Sequence, residues 1–348
     1  MPPITPPHRR YRRVAADSPL TDLFGWNGLK FRIVPARYNP PMTRRDLLAA
    51  AAAACALPLH ARGRFDKSRI SAITDEIGKS TDESIAFAHQ YGLTHVEIRN
   101  PPGNRSEYFI LPEAEIKADA VRFEREGLKV SFVNTSLLKF AWPGTEPPRR
   151  RPETPEARAK RLAAEQARWD RRMEDLHKAV RCAQIMGCDK VRVFTGSRLA
   201  DPPSLYGRIA ETIGEMALAA EKEKVYLLIE NEGSQNVGTS AELAEILKRI
   251  PSKWVGCNWD PHNAYGKETS YPDAYSLLPK KRILNVQVKG KGVMPSSPEK
   301  EDWKAIMQAL EKDGYKGEIG LETHIFDGTL IAAAHTSMEE IMRIVGEL

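Results

Sequence analysis

"ILNVQVK", residues 283–289, is the stretch on which the reading of this chain turns. It has the length and apolar content of a strand, yet Asn285, Gln287 and Lys289 alternate with Leu284, Val286 and Val288. Successive side chains of a strand point to opposite faces. One face therefore suits any apolar core, while the other carries two amides and an ammonium. What lies opposite that polar row depends on the neighbouring strands.

Seven further runs read as strands: 69–76 ("RISAITDE"), 95–99, 129–135, 190–195, 225–231, 255–260 and 317–323. A segment of helical period follows each one, the pattern of parallel βα units. The longest such segment, around 158–186, carries Leu162, Trp169, Met173, Leu176 and Val180 at helical spacing, and the one after the sixth strand is short. Eight βα units between residues 65 and 348 point to an α/β fold, the (β/α)8 TIM barrel, whose usual size is about 250 residues. The first turn, "TDEIGKSTDES", lacks the glycine fingerprint of an open dinucleotide-binding sheet.

In a barrel the polar row faces the lumen. The same phase sends Glu97, Arg99, Arg192, Glu230, Glu232, Asn258, Asp260, Glu318, Glu322 and His324 inward. Barrel interiors are more often filled by Val, Ile and Leu, so a polar lumen implies a site reaching deep inside. Glu230, Asp260, Gln287 and Glu322 fall near the carboxyl ends of strands five to eight, the face that carries active sites in this fold. Three carboxylates crowded in low dielectric need a neutralising cation. A divalent metal would supply it, and oxygen-only ligation suits Mg²⁺ or Mn²⁺, with Zn²⁺ or Co²⁺ as the softer candidates. The other solution is separate pairing with Arg99, Arg192, Lys289 or His324.

At these residues the chain resembles the xylose isomerase-like TIM-barrel superfamily, which includes sugar phosphate isomerases and epimerases and the type IV apurinic endonucleases. The likeness rests on "LLIENEGSQNVGTSAEL", "CNWDPHNAY", "VQVKGKG" and "GYKGEIGLETH", with "ITDEIGKSTDESIAFAHQYGLTHVEIR" as the first unit. It implies a Glu, Asp, His, Glu metal quartet at Glu230, Asp260, Gln287 and Glu322, with Gln287 departing from the expected histidine. The resemblance also implies a sugar, keto-sugar or polyol substrate, isomerised or epimerised through an enediolate, with Glu230 and Glu322 moving the proton. A lyase or dehydratase using the same site, and a non-catalytic carbohydrate-binding barrel, remain as alternatives.

Lys139 and Trp142, in a loop after strand three, are candidates for covering the mouth. Glu232, His262, Asn263, Lys289 and His324 are candidates for substrate contact. The endonuclease branch uses a histidine-rich three-metal cluster, which Gln287 and the following "GKG" do not supply. Residues 65–348 hold 41 basic against 43 acidic residues, a net charge of −2 with no footprint for nucleic acid. The basic excess belongs to residues 1–64, which hold 11 Lys and Arg against 3 acids.

Residues 1–41, rich in Pro and Arg, read as a disordered leader or a misplaced start upstream of Met42. Residues 42–64 resemble a twin-arginine export signal: Arg44 and Arg45 precede an apolar run too short to span a bilayer. That resemblance implies a periplasmic protein with no membrane span; Cys55 faintly matches a lipid-anchoring site. Cys182, Cys188 and Cys257 lack metal-type spacing and are expected as buried thiols. Homo-oligomerisation stays open.

Overall fold

The computed structural model describes residues 65–149 and 151–348. The expected leader, the signal segment and Cys55 lie outside them. Eight strands follow in chain order: β1 Ile70–Ala72, β2 His95–Ile98, β3 Lys129–Val133, β4 Lys190–Val193, β5 Tyr226–Glu230, β6 Val255–Trp259, β7 Ile283–Lys289 and β8 Ile319–Glu322. They pair in parallel in the order β1-β8-β7-β6-β5-β4-β3-β2, and a parallel bridge from Ile73 to Glu97 joins the two ends into a nearly closed barrel. The main outer helices are α1 Thr81–Tyr91, α2 Glu113–Arg125, α3 Pro155–Asp170, α4 Arg172–Ile185, α5 Tyr206–Lys222, α6 Ser240–Arg249, α7 Trp303–Lys312 and α8 Leu330–Gly346. After β6 there are only short helical turns, as expected.

Local chemistry accounts for the boundaries. The Ser80 hydroxyl accepts from the Glu83 N–H to start α1, and Thr239 with Glu242 forms a reciprocal capping box at α6. The segment expected as one helix around 158–186 is two helices that meet at Arg171. Helix α3 buries no residue, whereas α4 buries Leu176, Ala179, Val180, Cys182 and Ala183. Only α4 has a wide apolar face to hold against the sheet.

The first strand also differs from the eight-residue reading. It ends at Ala72, and Thr74–Ile77 form a helical turn. Asp75 and Glu76 therefore reach Arg99 from a turn above the strand, both at 2.8 Å, and do not alternate along it.

The outward face of β7 matches expectation, with Val286 and Val288 fully buried, beside Cys257 and Trp259 of β6. Cys182, Cys188 and Cys257 are buried free thiols. The inward face is organised by Glu97. Its Oε1 accepts from Ser71 Oγ at 3.0 Å and Asn285 Nδ2 at 3.2 Å; its Oε2 accepts from Asn134 Nδ2 at 2.9 Å and Gln287 Nε2 at 2.6 Å. One carboxyl group thus ties β1, β2, β3 and β7 together. It needs a vacant position on β8, and Gly320 supplies it: a Cβ there would collide with Glu97 Oε1.

Gly320→Ala should destabilise the barrel by about 1–3 kcal/mol, because the clash falls on a fully bonded carboxyl group. Gly214→Ala, where an added Cβ meets open space in α5, should stabilise it by about 0.4–1 kcal/mol. Urea denaturation midpoints for the two variants should move in opposite directions.

Candidate active site at the carboxyl ends of the strands

Glu230 ends β5, and its carboxylate is fixed on both sides. Oε2 accepts from Arg192 Nη1 at 2.9 Å and Asn258 Nδ2 at 2.7 Å, while Oε1 accepts from Asn263 Nδ2 at 3.3 Å. Asp260 follows β6, and its Oδ1 caps the turn at Pro261–Ala264 by accepting the Asn263 N–H at 3.0 Å. Asn231 locks the two strand ends together: its Nδ2 donates to the Asp260 carbonyl at 2.7 Å, and its Oδ1 accepts the Asp260 N–H at 2.9 Å. A strand-end Asn beside a strand-end Asp could have signalled this clasp, although the sequence reading assigned Asn231 no role.

Glu322 ends β8. Its Oε2 accepts from Lys289 Nζ at 2.5 Å, and its Oε1 lies 3.3 Å from Arg99 Nη1. Lys289 Nζ also stands 3.3 Å from Asp260 Oδ2. Separate pairing of acids with Arg99, Arg192 and Lys289 is therefore present, but it does not balance. Five carboxylates (Asp75, Glu76, Glu230, Asp260 and Glu322) meet three side-chain cations. The shortfall is two charges.

The imbalance shows in the ionisation of these groups. Burial pushes the Asp260 carboxyl up to about 7; Lys289 opposes the rise, and Glu230 and Glu322 add to it. Burial also works against charge on Lys289, but Glu322, Asp260 and Glu230 together hold the ammonium above its usual range. At Glu322 burial is likewise outweighed, by Lys289, His324, Arg192 and Arg99, and the carboxyl stays well below its usual range.

Glu230, Asp260 and Glu322 each offer an oxygen, all within 4.8 Å of one another, a spacing that could hold a metal ion. Two further observations match that chemistry. Asp260 Oδ2 and Gln287 Oε1 are buried and accept no hydrogen bond. Buried acceptors without donors are uncommon; Asp260 Oδ2 has the Lys289 ammonium at 3.3 Å and belongs to a group already short of positive charge. The donor set is entirely oxygen, which suits a hard divalent ion. Glu76, Glu322 and His324 form a second such group.

The remaining candidates separate into two sets. Asn263 and Lys289 touch the acids directly, as above. His324 has a left-handed backbone (φ 52°), its N–H donates to Glu76 Oε2 at 2.7 Å, and its ring packs edge-on to Phe326. His262 Nε2 lies 3.3 Å from Glu299. These side chains, with Thr323 and Phe326, line a mouth cavity of about 490 Å³.

Lys139 pairs with Glu232 and lies over the Phe194 ring. Burial would raise Glu232, but Lys139 and Ser234 hold it below its usual range. Trp142, a candidate for covering the mouth, is buried in the wall. Its indole N–H donates to the Leu138 carbonyl and its ring tilts against Trp169. Gly196 makes room for it, since a Cβ there would stand 2.9 Å from the indole nitrogen. The sequence reading also gave no site role to Glu76, Glu97 or Asn258, although the inward phase of Glu97 and Asn258 was visible.

The profile of the xylose isomerase-like TIM barrel family matches residues 85–344. The chain belongs to that family. No curated protein matches it by sequence. Among solved structures it is similar to D-allulose 3-epimerase from Methylomonas sp. in complex with D-allulose, at 13% identity over 83% of this chain and 98% of that one, TM-score 0.57. It is similar to a xylose isomerase-like TIM barrel protein from Mycobacterium smegmatis in complex with magnesium, at 14% identity, 83% and 99% coverage and TM-score 0.57. It is also similar to the probable 3-DHS dehydratase of Bacillus anthracis, at 12% identity, 78% and 98% coverage and TM-score 0.57. At these identities the likeness is one of fold.

Arg192→Met would strand the buried Glu230 carboxylate and should cost about 3–5 kcal/mol. Lys117→Met, which breaks a solvated pair with Glu113 on α2, should leave the urea midpoint nearly unchanged.

Proposed function

We propose that the barrel is a divalent-metal-dependent isomerase or epimerase of a sugar, keto-sugar or polyol. The observation that carries this reading is the cluster of Glu230, Asp260 and Glu322, set in a group of five carboxylates that meets three side-chain cations. Family membership and the epimerase among the similar structures support it. Glu230, Asp260, Gln287 and Glu322 would hold the ion, with Mg²⁺ or Mn²⁺ favoured over Zn²⁺ or Co²⁺ by the oxygen donors. When bound, it would supply Lewis-acid polarisation of neighbouring substrate oxygens.

The chain's own groups supply the rest. Glu230 and Glu322 stand on walls three strands apart, so that one can take a proton from carbon beside a carbonyl and the other can return it on the opposite face. Arg192 and Asn258 orient Glu230; Lys289 and Arg99 orient Glu322. Asn263, His262 and His324 border the mouth cavity, where a monosaccharide's hydroxyls would find donors and acceptors, and the exposed Phe326 offers a ring face. Elimination from a keto-sugar would use the same proton abstraction, and the dehydratase among the similar structures favours that as the second reading.

Export directed by Arg44 and Arg45 would place the protein where free or oxidised sugars and glycosides predominate over phosphorylated ones. A reporter fused behind residues 42–64 should leave the cytoplasm; retention there would remove this part of the reading.

Incubation with free and 3-keto sugars in deuterated water should place solvent deuterium on the product carbon. Glu230→Gln or Glu322→Gln should slow that exchange by about 10²–10⁴-fold. Elemental analysis should find a divalent metal in the wild-type protein and none in the Glu230→Gln, Glu322→Gln double variant. Equal, negligible metal in both would defeat the metal assignment, and no exchange across the panel would favour a carbohydrate-binding role.

A further inference from the structure

We propose that Glu97 is a positioning residue: it holds the Gln287 amide so that the carbonyl oxygen, not the NH₂ group, is presented as an oxygen donor to a divalent ion. The inference rests on the metal reading above and says how a glutamine serves where the family resemblance implies a histidine.

An ionised carboxyl group offers four acceptor sites and no donor. Glu97 has all four filled, by Ser71, Asn134, Asn285 and Gln287. An amide has one donor end and one acceptor end. With Gln287 Nε2 held 2.6 Å from Glu97 Oε2, the carbonyl must turn elsewhere, and Oε1 is buried without a partner. Reversing the amide would set a carbonyl oxygen against a carboxylate oxygen at the same short distance.

Strand register places the device. Gln287 pairs with Gly320, and two residues further along Lys289 pairs with Glu322. Gly320 offers no side chain, so the lumen beside Gln287 is left to Glu97, and the carboxylates lie one step toward the mouth. The same orienting effect reaches Glu230. Asn285 Nδ2 donates to both Glu97 Oε1 and Asn258 Oδ1, which leaves Asn258 Nδ2 to donate to Glu230 Oε2 at 2.7 Å. Glu97 thereby fixes the polarity of one proposed ligand directly and of a second ligand's support through two amides.

The test is titration of metal-stripped, full-chain protein with Mn²⁺ alone, with free Mn²⁺ read by electron paramagnetic resonance. Glu97→Gln should weaken binding by about 10–100-fold, the usual effect of losing a ligand's orienting partner, and Gln287→Ala, which removes the ligand itself, by at least as much. The double variant should fall clearly short of the sum of the two single losses, since Glu97 acts chiefly through that side chain and only secondarily through Asn285 and Asn258. Gln287→His should shift preference from Mn²⁺ toward Zn²⁺, a readout that stands even if Glu97→Gln fails to fold.

Wild-type affinity in Gln287→Ala, or additive losses in the double variant, would overturn the inference. If Glu230→Gln still abolishes binding in that case, the metal reading survives. If wild-type protein takes up no Mn²⁺, both fail.

Discussion

A carboxylate buried in a barrel lumen must be met by donors or cations, or it will not stay ionised there. The interior of this barrel satisfies that requirement in two ways at two depths. In the lower layer Glu97 is surrounded by neutral donors, three amides and a hydroxyl from β1, β7 and the residue that follows β3. In the upper layer Glu230 and Glu322 are met by Arg192, Arg99 and Lys289. The Glu97 carboxyl is saturated with donors, although the oxygens of the amides that surround it are not, whereas the acids of the upper layer outnumber their cations.

The contrast has an energetic logic. Neutral donors around Glu97 compensate its desolvation without adding charge, so the layer can serve as a rigid floor. Burial pushes the Glu97 carboxyl above its usual range, and the donors from Asn134, Gln287, Asn285 and Ser71 oppose that push. Above it, acids outnumber cations, and the strain is carried by Asp260, raised to about 7 in the same field that holds Glu322 well below its usual range. Environments that drive neighbouring acids apart are a recurrent feature of sites that move protons. An apolar lumen would avoid these costs, at the loss of every group that can act on a substrate.

Much of the fold was legible because strand phase is a strict constraint. The alternation in "ILNVQVK" sent Asn285, Gln287 and Lys289 inward, and each makes its principal contact there. Four acids or amides one βα unit apart located the mouth for the same reason. What phase could not supply was partner choice. Asp75 and Glu76 read as strand residues, yet the backbone turns at Thr74 and both meet Arg99. Trp142 read as a mouth residue, yet the space left by Gly196 draws it into the wall. These outcomes depend on groups distant in sequence, which periodicity does not encode.

Gln287 shows the limit most clearly. From sequence it is a histidine position occupied by an amide, and the substitution reads either as a lost ligand or as a different one. The structure supplies the missing term, a carboxylate on β2, far away in the chain, that engages one end of the amide and leaves the other bare. An imidazole at this position would have to donate one ring N–H to Glu97 and direct the other nitrogen upward. The glutamine likewise gives one end to Glu97 and keeps an oxygen, a harder donor atom than nitrogen, without a partner. The substitution therefore preserves the logic of the layer beneath the site, and the lumen's acceptor-rich floor is what allows an amide to stand there.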